Sequence, residues 1–334
     1  MEKAVSVGKR RLGRTDIEIT PIGLGCWQFA QGKGLAGRFW SVIDQAAATA
    51  TVKAALDGGI SWFDTAEMYG GGRSETVLTT ALHELEIAPE QVVIATKWVA
   101  LLRWAGNIAR TIDERLRCLQ GYPINLHQVH VPWSLSPIPT QMREMARLFR
   151  DGKIRSVGVS NFSARQMEEA NAALENHGLR LASNQVRINL LDRRIESNGV
   201  LDAARRLGVT LIAFSPLAQG ILTGKFHENP TLVQSVSRMR KGGAGAAGRG
   251  GYTPEGLART APLVEELRRV AHAHGTTVSQ VALSWLINFY GDTVVAIPGA
   301  SAPQQAAENA GAMSLRLDNA KMSRLDELSR ERKE

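Results

Sequence analysis

Residues 154–178 read IRSVGVSNFSARQMEEANAALENHG and contain one complete strand-and-helix unit. The run 154–159 has the length and the branched apolar residues of a buried strand. After a short loop, Ser163 opens a capping-box-like pattern with a glutamine three residues later, which marks the start of a helix. Apolar residues at helical spacing predict a helix over 164–176, and Gly178 ends it.

The same unit recurs along the chain. Short apolar runs that predict strands are 22–24, 60–63, 92–96, 126–131, 154–159, 182–186, 209–214 and 293–297. Amphipathic segments that predict helices lie between them, among them 107–119, 140–150, 164–176 and 262–273. Eight such units with no linker-like boundary favour one domain over 1–334, a closed parallel (β/α)₈ TIM barrel with a long loop after the seventh strand. A doubly wound sheet is the alternative, but it would need a place for the last two units.

Composition and charge narrow the class of protein. With 44% hydrophobic and 22% charged residues, the chain is an ordinary globular protein. Its net charge of +8 makes anionic ligands worth considering. A nucleic-acid surface would cluster its cations, whereas the arginines here share helical stretches with Glu and Asp and are expected on solvated helix faces. These scattered arginines are Arg103, Arg110, Arg115, Arg117, Arg143, Arg147 and Arg150.

Cysteine usage and hydropathy favour a soluble cytoplasmic protein with no metal site. Cys26 and Cys118 lie in different segments without metal-like spacing, and we expect both as reduced, buried thiols. The first residues, MEKAVSVGKRRLGRTD, contain no apolar run of signal-peptide length. No stretch approaches the roughly 18–20 apolar residues of a membrane span.

A glycine-rich stretch stands inside the long irregular segment 215–256. Residues 241–251 read KGGAGAAGRGG, and 243–248 match the G-x-G-x-x-G pattern of dinucleotide-binding turns. That pattern needs a strand before it and a helix after it. Here no strand precedes it, and the following RGGYTP is not expected to start the helix. The sequence context therefore argues against a Rossmann-type phosphate cradle.

Four polar residues fall at the ends of three successive predicted strands. Asp64 ends the second strand with Tyr69 just beyond it, Lys97 ends the third and His130 the fourth. Barrel enzymes keep their active sites at the carboxyl ends of their strands, so these side chains should converge.

The chemistry of the four is coherent. A lysine ammonium should lower the tyrosine pKa from its usual value near 10, and a carboxylate should keep the lysine charged. A histidine that donates to a carbonyl oxygen would stabilise negative charge there. The set suits hydride addition to a carbonyl carbon while Tyr69 protonates the oxygen. Taken singly, each residue could instead make a structural hydrogen bond at the barrel rim. Asp64 and Lys97 could form an ion pair that only stabilises the fold. A Schiff-base aldolase would need a neutral Lys97, which Asp64 disfavours.

With these residues, the sequence resembles the aldo-keto reductase superfamily over nearly its whole length. The motifs that carry the resemblance are GLGCW (23–27), FDTAEMYGGGRSE (63–75), ATKW (95–98), HQVHVPW (127–133), GKIRSVGVSNFS (152–163), SNQVRINLL (183–191), FSPLAQGILTGK (214–225) and IPGASAPQQAAEN (297–309). The likeness is greatest to bacterial and plant members with SPLAQGxLTGK after the seventh strand, a group that includes potassium-channel β-subunits. The resemblance implies an NAD(P)H-dependent oxidoreductase that interconverts aldehydes or ketones with alcohols. The alternative is an NADP(H)-binding auxiliary or regulatory subunit of the channel type.

The resemblance also implies roles for residues. Tyr69 would be the general acid, supported by Asp64, Lys97 and His130. Ser160, Asn161 and Gln185 would hold the nicotinamide carboxamide, and Phe214 would stack on the ring. The remaining cofactor contacts would be made by Ser215, Pro216, Leu217, Gly220 and Lys225 at the pyrophosphate and by Gly299, Ser301, Gln305, Glu308 and Asn309 at the adenosine end. A small-molecule carbonyl substrate would meet an apolar pocket with Trp27, Trp98 and Trp133, and Trp40 is a further candidate.

Three departures from the family pattern bear on these expectations. Residues 299–305 read GASAPQQ and offer no cation for a 2′-phosphate, so NADP(H) is expected with NAD(H) possible. Phe214 and His127 stand where many members have tyrosine, the latter at an inward or rim position. The cation for a moderate NADPH preference would be Arg238, Arg240 or Arg249 of the long loop, which also carries Lys241. We expect 241–251 to be the mobile part of a lid over the cofactor.

Overall fold

The computed structural model describes residues 8–32, 42–237, 241 and 251–331. Its centre is a parallel sheet of eight strands in chain order. The strands are β3 (Leu24–Gly25), β4 (Trp62–Asp64), β5 (Val93–Trp98), β6 (Leu126–Val129), β7 (Val157–Ser160), β8 (Ser183–Arg187), β9 (Thr210–Phe214) and β10 (Val294–Ala296). Parallel bridges Ile22–Ala296 and Gly25–Gly299 join the last strand to the first. The sheet therefore closes, which confirms the barrel prediction and excludes the doubly wound alternative.

Helices follow the strands on the outside of the barrel. They are α1 (Gln45–Asp57), α2 (Arg73–Glu84), α3 (Gly106–Cys118), α4 (Ile138–Arg150), α5 (Ala164–Glu175), α6 (Val200–Leu207), α7 (Lys225–Glu228), α8 (Pro254–Ala273), α9 (Val278–Phe289), α10 (Pro303–Gly311) and α11 (Asn319–Arg330). The side chain of Ser163 accepts from the backbone N–H of Gln166, and the reciprocal bond completes the capping box expected before α5.

Two expectations about the segment 215–256 were wrong. Its described part is not irregular, because it contains 3₁₀ turns over Ala218–Thr223 and Pro230–Ser235 and the short helix α7. Helix α8 starts at Pro254, well before the predicted residue 262, so RGGYTP does lead into a helix. Thr253 caps it by accepting from the N–H of Gly256. Proline suits the first helical position because the N–H that it lacks has no intrahelical acceptor there. The G-x-G-x-x-G stretch and the expected lid, apart from residues 241 and 251, lie outside the described residues.

The barrel interior and the strand–helix interface form separate apolar layers. A hairpin of β1 (Arg10–Arg11) and β2 (Glu18–Ile19) closes the amino-terminal end of the barrel. Its neighbours Leu12 and Ile17 pack with Trp62, Leu126 and Ile212 inside the barrel. The larger layer lies between strands and helices. With one end plugged, the carboxyl ends of the strands form the accessible mouth.

Arg115 corrects the expectation of solvated helix faces. It lies on α3 with only 3% of its surface exposed and makes an ion pair with Glu75, which is fully buried on α2. Thr96 of β5 donates to the other Glu75 oxygen at 2.5 Å. Burial raises the pKa of Glu75 to about 7 even though Arg115 opposes that shift. The arginine therefore ties two helices to the barrel wall.

His127 also takes a definite position. Its neighbour Gln128 reaches Asp64 inside the barrel. Because strand residues alternate between faces, His127 points outward into the layer beneath the helices. It is 1% exposed, and burial together with the charge of Arg115 lowers its pKa to about 4. The residue is neither inward nor at the rim, and it has no access to a substrate.

Among the described residues no helix is both long and apolar enough to cross a membrane. Over the same ranges, no three His, Cys, Asp or Glu side chains are grouped so that they could hold a metal ion. Cys26 is buried and Cys118 is partly exposed, and neither forms a disulfide.

Candidate active site

A buried ion pair forms the floor of the barrel mouth. Asp64 ends β4 and Lys97 lies near the end of β5, and the two side chains are 2% and 0% exposed. The Lys97 Nζ donates to Asp64 Oδ1 at 2.5 Å and to the Thr65 carbonyl at 2.9 Å. Burial by itself would lower the pKa of Lys97, but the charge of Asp64 and contact with Tyr69 raise it overall. The lysine is therefore held as an ammonium.

Tyr69 stands directly above this pair. Lys97 Nζ lies 5.1 Å from the centre of the Tyr69 ring, and the ring is 9% exposed. The following turn, Gly70 to Gly72, has positive φ at all three residues, which glycine adopts without strain. A Cβ at Gly70 would lie 2.8 Å from the carbonyl oxygen of Ala30, so this close approach also needs glycine. The turn thus fixes where the tyrosine ring projects.

The pKa of Tyr69 differs from expectation. Its pKa is raised from 10.0, because burial favours the neutral phenol more than the Lys97 charge and hydrogen bond favour the phenolate. The prediction from the sequence is right that Lys97 lowers the pKa of Tyr69 and wrong about the net shift of that pKa. A protonated phenol at neutral pH is a proton donor.

His130 and Trp27 flank Tyr69 on two sides. The His130 ring meets the Tyr69 ring edge-on at 5.8 Å, and Trp27 stacks on Tyr69 at 5.7 Å with 14° between the planes. Burial and the Lys97 charge lower the pKa of His130 to about 3, so its imidazole is neutral. Its Nδ1 is buried, and the part of the chain that the structure describes gives it no hydrogen-bond partner. All four predicted chemical groups therefore meet at one mouth.

Three residues assigned to the carboxamide lie beside the ion pair. Ser160 and Gln185 are paired in the register of β7 and β8, and the Ser160 hydroxyl donates to the Gln185 carbonyl at 2.9 Å. Asn161, at φ +62°, donates from its side chain to the Ser160 hydroxyl. The Gln185 side chain donates to Asp64 Oδ2 at 2.8 Å. The structure thus joins this polar group to the ion pair.

The segments assigned to the rest of the cofactor follow the neighbouring strands β9 and β10. Phe214 ends β9, and the backbone then turns sharply through Ser215, with φ +50°, to Gly220, with φ +98°. Lys225 is exposed; its Nζ is 3.6 Å from where a Cβ on Gly220 would lie. Pro216 is buried and Leu217 half-buried between them.

After β10, the half-buried Gly299 and Glu308 and the exposed Gln305 frame the second segment. The Ser301 N–H donates to the Gln305 side chain at 2.8 Å, and Asn309 on α10 is 3% exposed. Its Nδ2 is buried and has no hydrogen-bond partner within the described ranges. The two segments lie side by side because β9 and β10 pair.

The tryptophans assigned to a substrate pocket take different positions. Trp27 is half-buried against Tyr69, whereas Trp133 is 66% exposed on the loop after β6. Trp98 is 1% exposed, packs in the layer between strands and helices, and donates to the Asn107 side chain at 3.0 Å. We therefore keep Trp27 and Trp133 as pocket candidates and leave Trp98 out. Trp40 lies outside the described residues.

Sequence reasoning missed two residues at the mouth. Gln128 donates to Asp64 Oδ2 at 3.3 Å, and Arg187 lies over the Phe214 ring, with 5.6 Å from its Cζ to the ring centre. Each is two residues from an assigned position, Gln128 from His130 and Arg187 from Gln185. The strand period of two places such residues on the same face and could have found both.

Comparison with known proteins agrees with this architecture. The model of the Aldo/keto reductase family matches residues 21–330. An uncharacterised oxidoreductase of Mycobacterium tuberculosis is 35% identical over 305 residues, which are 90% of this chain and 86% of that protein. The chloroplastic pyridoxal reductase of Arabidopsis thaliana is 30% identical over 332 residues, 94% of this chain and 84% of that protein.

Solved structures give the same result. The glycerol dehydrogenase of Gluconobacter oxydans superposes with a TM-score of 0.80 at 28% identity and covers 97% of this chain and 95% of its own. A thermostable aldo-keto reductase bound to the inhibitor epalrestat gives a TM-score of 0.73 at 29% identity over 96% of this chain and 99% of its own. The family match spans most of the chain, and the relatives are oxidoreductases. The chain is therefore an oxidoreductase that belongs to the aldo/keto reductase family.

Proposed function

We propose that the protein reduces aldehydes or ketones to alcohols with NADPH, and that Tyr69 is the general acid. The observation that carries the proposal is the contact of a protonated tyrosine with the buried Asp64–Lys97 pair, at the mouth of a barrel of this family. Members of the family generally bind NAD(P)H. The choice of NADPH over NADH is part of the proposal, and the ratio of kcat/KM for the two cofactors tests it.

In this proposal the residues around Tyr69 divide the work. The Tyr69 hydroxyl gives its proton to the substrate oxygen. Because its pKa is raised, the hydroxyl is protonated at neutral pH. Lys97 lies close enough to stabilise the phenolate that remains. Neutral His130 donates a hydrogen bond that orients the carbonyl. A reduced nicotinamide cofactor, when bound, would supply the hydride that the carbonyl carbon accepts.

The residues present fit such a cofactor. Ser160, Asn161 and Gln185 offer polar groups beside the ion pair, and the half-buried Phe214 lies on the adjoining strand β9. The buried amide nitrogen of Asn309 has no acceptor among the described residues, and an adenosine or phosphate oxygen would satisfy it. These residues would bind the cofactor and fix its orientation toward Tyr69.

The substrate would enter over Trp27. Its ring is stacked on Tyr69, so an aromatic or aliphatic carbonyl compound would find an apolar surface next to the proton donor. The names of two relatives suggest compounds for a first panel, namely pyridoxal and the oxidation products of glycerol. A Schiff-base mechanism through Lys97 is disfavoured because Asp64 keeps that lysine protonated.

The test is the variant Tyr69→Phe. We expect turnover to fall by roughly 10²–10⁴-fold, the usual scale for loss of a general acid, with NADPH affinity nearly unchanged. Tyr122→Phe is the matched control, because it removes a hydroxyl that donates to the Ile87 carbonyl away from the mouth. Wild-type reduction rates in Tyr69→Phe would show that the assignment of Tyr69 is wrong.

A further inference from the structure

Arg187 is a cation at the barrel mouth that forms an ion pair with no carboxylate of the described residues. It is the last residue of β8, its side chain is half-buried, and its Nε is buried without a hydrogen-bond partner. Within the described ranges the guanidinium makes neither a hydrogen bond nor an ion pair, and no hydrogen bond contributes to its pKa. The carboxylate that raises its pKa, Asp192, is already bound by Arg194 through two hydrogen bonds of 2.7 and 2.8 Å.

The strand fixes where this guanidinium points. Gln185 faces into the barrel and donates to Asp64, so Arg187, two residues later, lies on the same face one step nearer the mouth. It pairs in register with Phe214 and lies over that ring. Asn189 donates to the Ser215 carbonyl at 3.0 Å, which holds the loop after β8 against the start of the segment 215–225. The cation therefore stands between the proposed carboxamide residues and the proposed pyrophosphate segment.

Such an arrangement costs stability in the free protein. A partly desolvated guanidinium with an unpaired buried donor is unfavourable, and burial accordingly lowers the pKa of Arg187. The ring of Phe214 offsets this only in part, because a cation–π contact satisfies no N–H. Its planar fork of donors fits the oxygens of a phosphate or a carboxylate.

We propose that Arg187 binds an oxyanion brought by the ligands of the active site, a cofactor phosphate or an anionic group on the carbonyl substrate. The inference rests on the proposed function, because it needs a cofactor or substrate at this mouth. Its place beside Phe214 and the segment 215–225 puts the cofactor pyrophosphate first. A carboxylate or phosphate on the substrate is the second source of the same chemistry.

The test compares Arg187→Met with Arg194→Met. Both variants remove one positive charge from the same part of the chain, but Arg194 is exposed and paired with Asp192. Dissociation constants for NADPH and NADH are measured by fluorescence titration. KM is measured for 4-carboxybenzaldehyde and for uncharged 4-methylbenzaldehyde. We expect Arg187→Met to weaken the binding of one anion-bearing ligand by roughly 10- to 100-fold, the scale of a charge-assisted hydrogen bond. We expect Arg194→Met to change each dissociation constant and each KM by less than about 3-fold.

The pattern of loss identifies the source of the anion. Equal weakening of NADPH and NADH assigns Arg187 to the pyrophosphate that both share. A raised KM for the carboxylated aldehyde alone assigns it to the substrate. Arg187→Lys should keep part of the affinity, because it keeps the charge and loses the fork.

Thermal stability without ligand separates this role from a structural one. We expect Arg187→Met to have an unchanged or higher Tm than the wild type and a smaller Tm increase on adding NADPH. A lower Tm with all ligand constants unchanged would overturn the inference and leave Arg187 as a packing partner of Phe214. Failure of the wild type to bind either cofactor would instead refute the proposed function.

Discussion

Replacing Lys97 by methionine should damage stability and activity by separable routes. The substitution keeps an unbranched side chain as far as Cε and removes the ammonium that lies 2.5 Å from Asp64. Removing one partner of a buried ion pair leaves an uncompensated charge and typically costs about 3–5 kcal/mol. Asp64 retains amide donors from Gln185 and Gln128, so we expect the lower end of that range, about 3 kcal/mol. Turnover should also fall by roughly 10²–10⁴-fold, because Tyr69 loses the cation that stabilises its phenolate.

A second substitution separates the two losses. In the double variant Lys97→Met/Asp64→Asn both charges are gone, and the new amide can still accept from Gln185. Replacing both members of a buried pair is often close to neutral, so stability should return to within about 1 kcal/mol of the wild type. Turnover should remain as low as in the single variant, because nothing has replaced the ammonium beneath Tyr69.

Urea unfolding and steady-state kinetics measure both effects. The control is Lys53→Met, which breaks a Lys–Asp pair of similar length, 2.7 Å, whose side chains are 59% and 63% exposed. An exposed pair of this kind contributes about 0.3–0.5 kcal/mol and should leave turnover unchanged. A double variant as unstable as the single one would show that the loss comes from packing. A double variant with recovered turnover would refute the role of Lys97.

Three further outcomes follow from the structure. Because the pKa of Tyr69 is raised above 10.0, the rate of carbonyl reduction should be flat through the neutral range and fall only above about pH 10, as a kcat profile would show. His127→Gln should flatten the pH dependence of stability. The pKa of His127 is about 4 in the folded protein and 6.5 in the unfolded chain, so about 3 kcal/mol of stability that is present above pH 6.5 is lost as the pH falls toward 4. Urea midpoints measured at two pH values would test this. Gly72→Ala should cost about 1–3 kcal/mol in the same assay, since φ is +90° and a Cβ would lie 2.8 Å from Cys118 Sγ, whereas Gly71→Ala has open space and should cost less.

The barrel and the convergence of Asp64, Lys97 and His130 at one mouth could be predicted because both follow from repeated or local signals. Each strand is a short apolar run followed by an amphipathic helix, so eight units specify a closed parallel sheet before any contact is known. Asp64, Lys97 and His130 were found because barrel strands end at one mouth. The start of α8 was missed because glycine and tyrosine ahead of Pro254 read as loop, although Thr-Pro is itself a helix start.

The pKa of Tyr69 shows why the electrostatics could not be read in the same way. A sequence shows that a lysine follows the next strand, but it does not show how much water the fold removes from the phenol. The two effects have opposite signs, and the larger one is the burial. Only the packing of Trp27 and the glycine turn around the ring sets that balance.

Arg115 and Arg187 also show what the sequence leaves open, namely whether a buried arginine has an anionic partner. From the sequence alone, Arg115 is expected on a solvated helix face, and Arg187 is one residue of the family motif 183–191. Arg115 points into the protein and forms a buried ion pair with Glu75, so its charge is balanced within the fold. Arg187 also turned inward, and the described part of the chain gives it no anion. A partly buried charge that the fold does not pair must be paired by something else or carried at a cost, and its position beside Phe214 makes the ligand the natural partner.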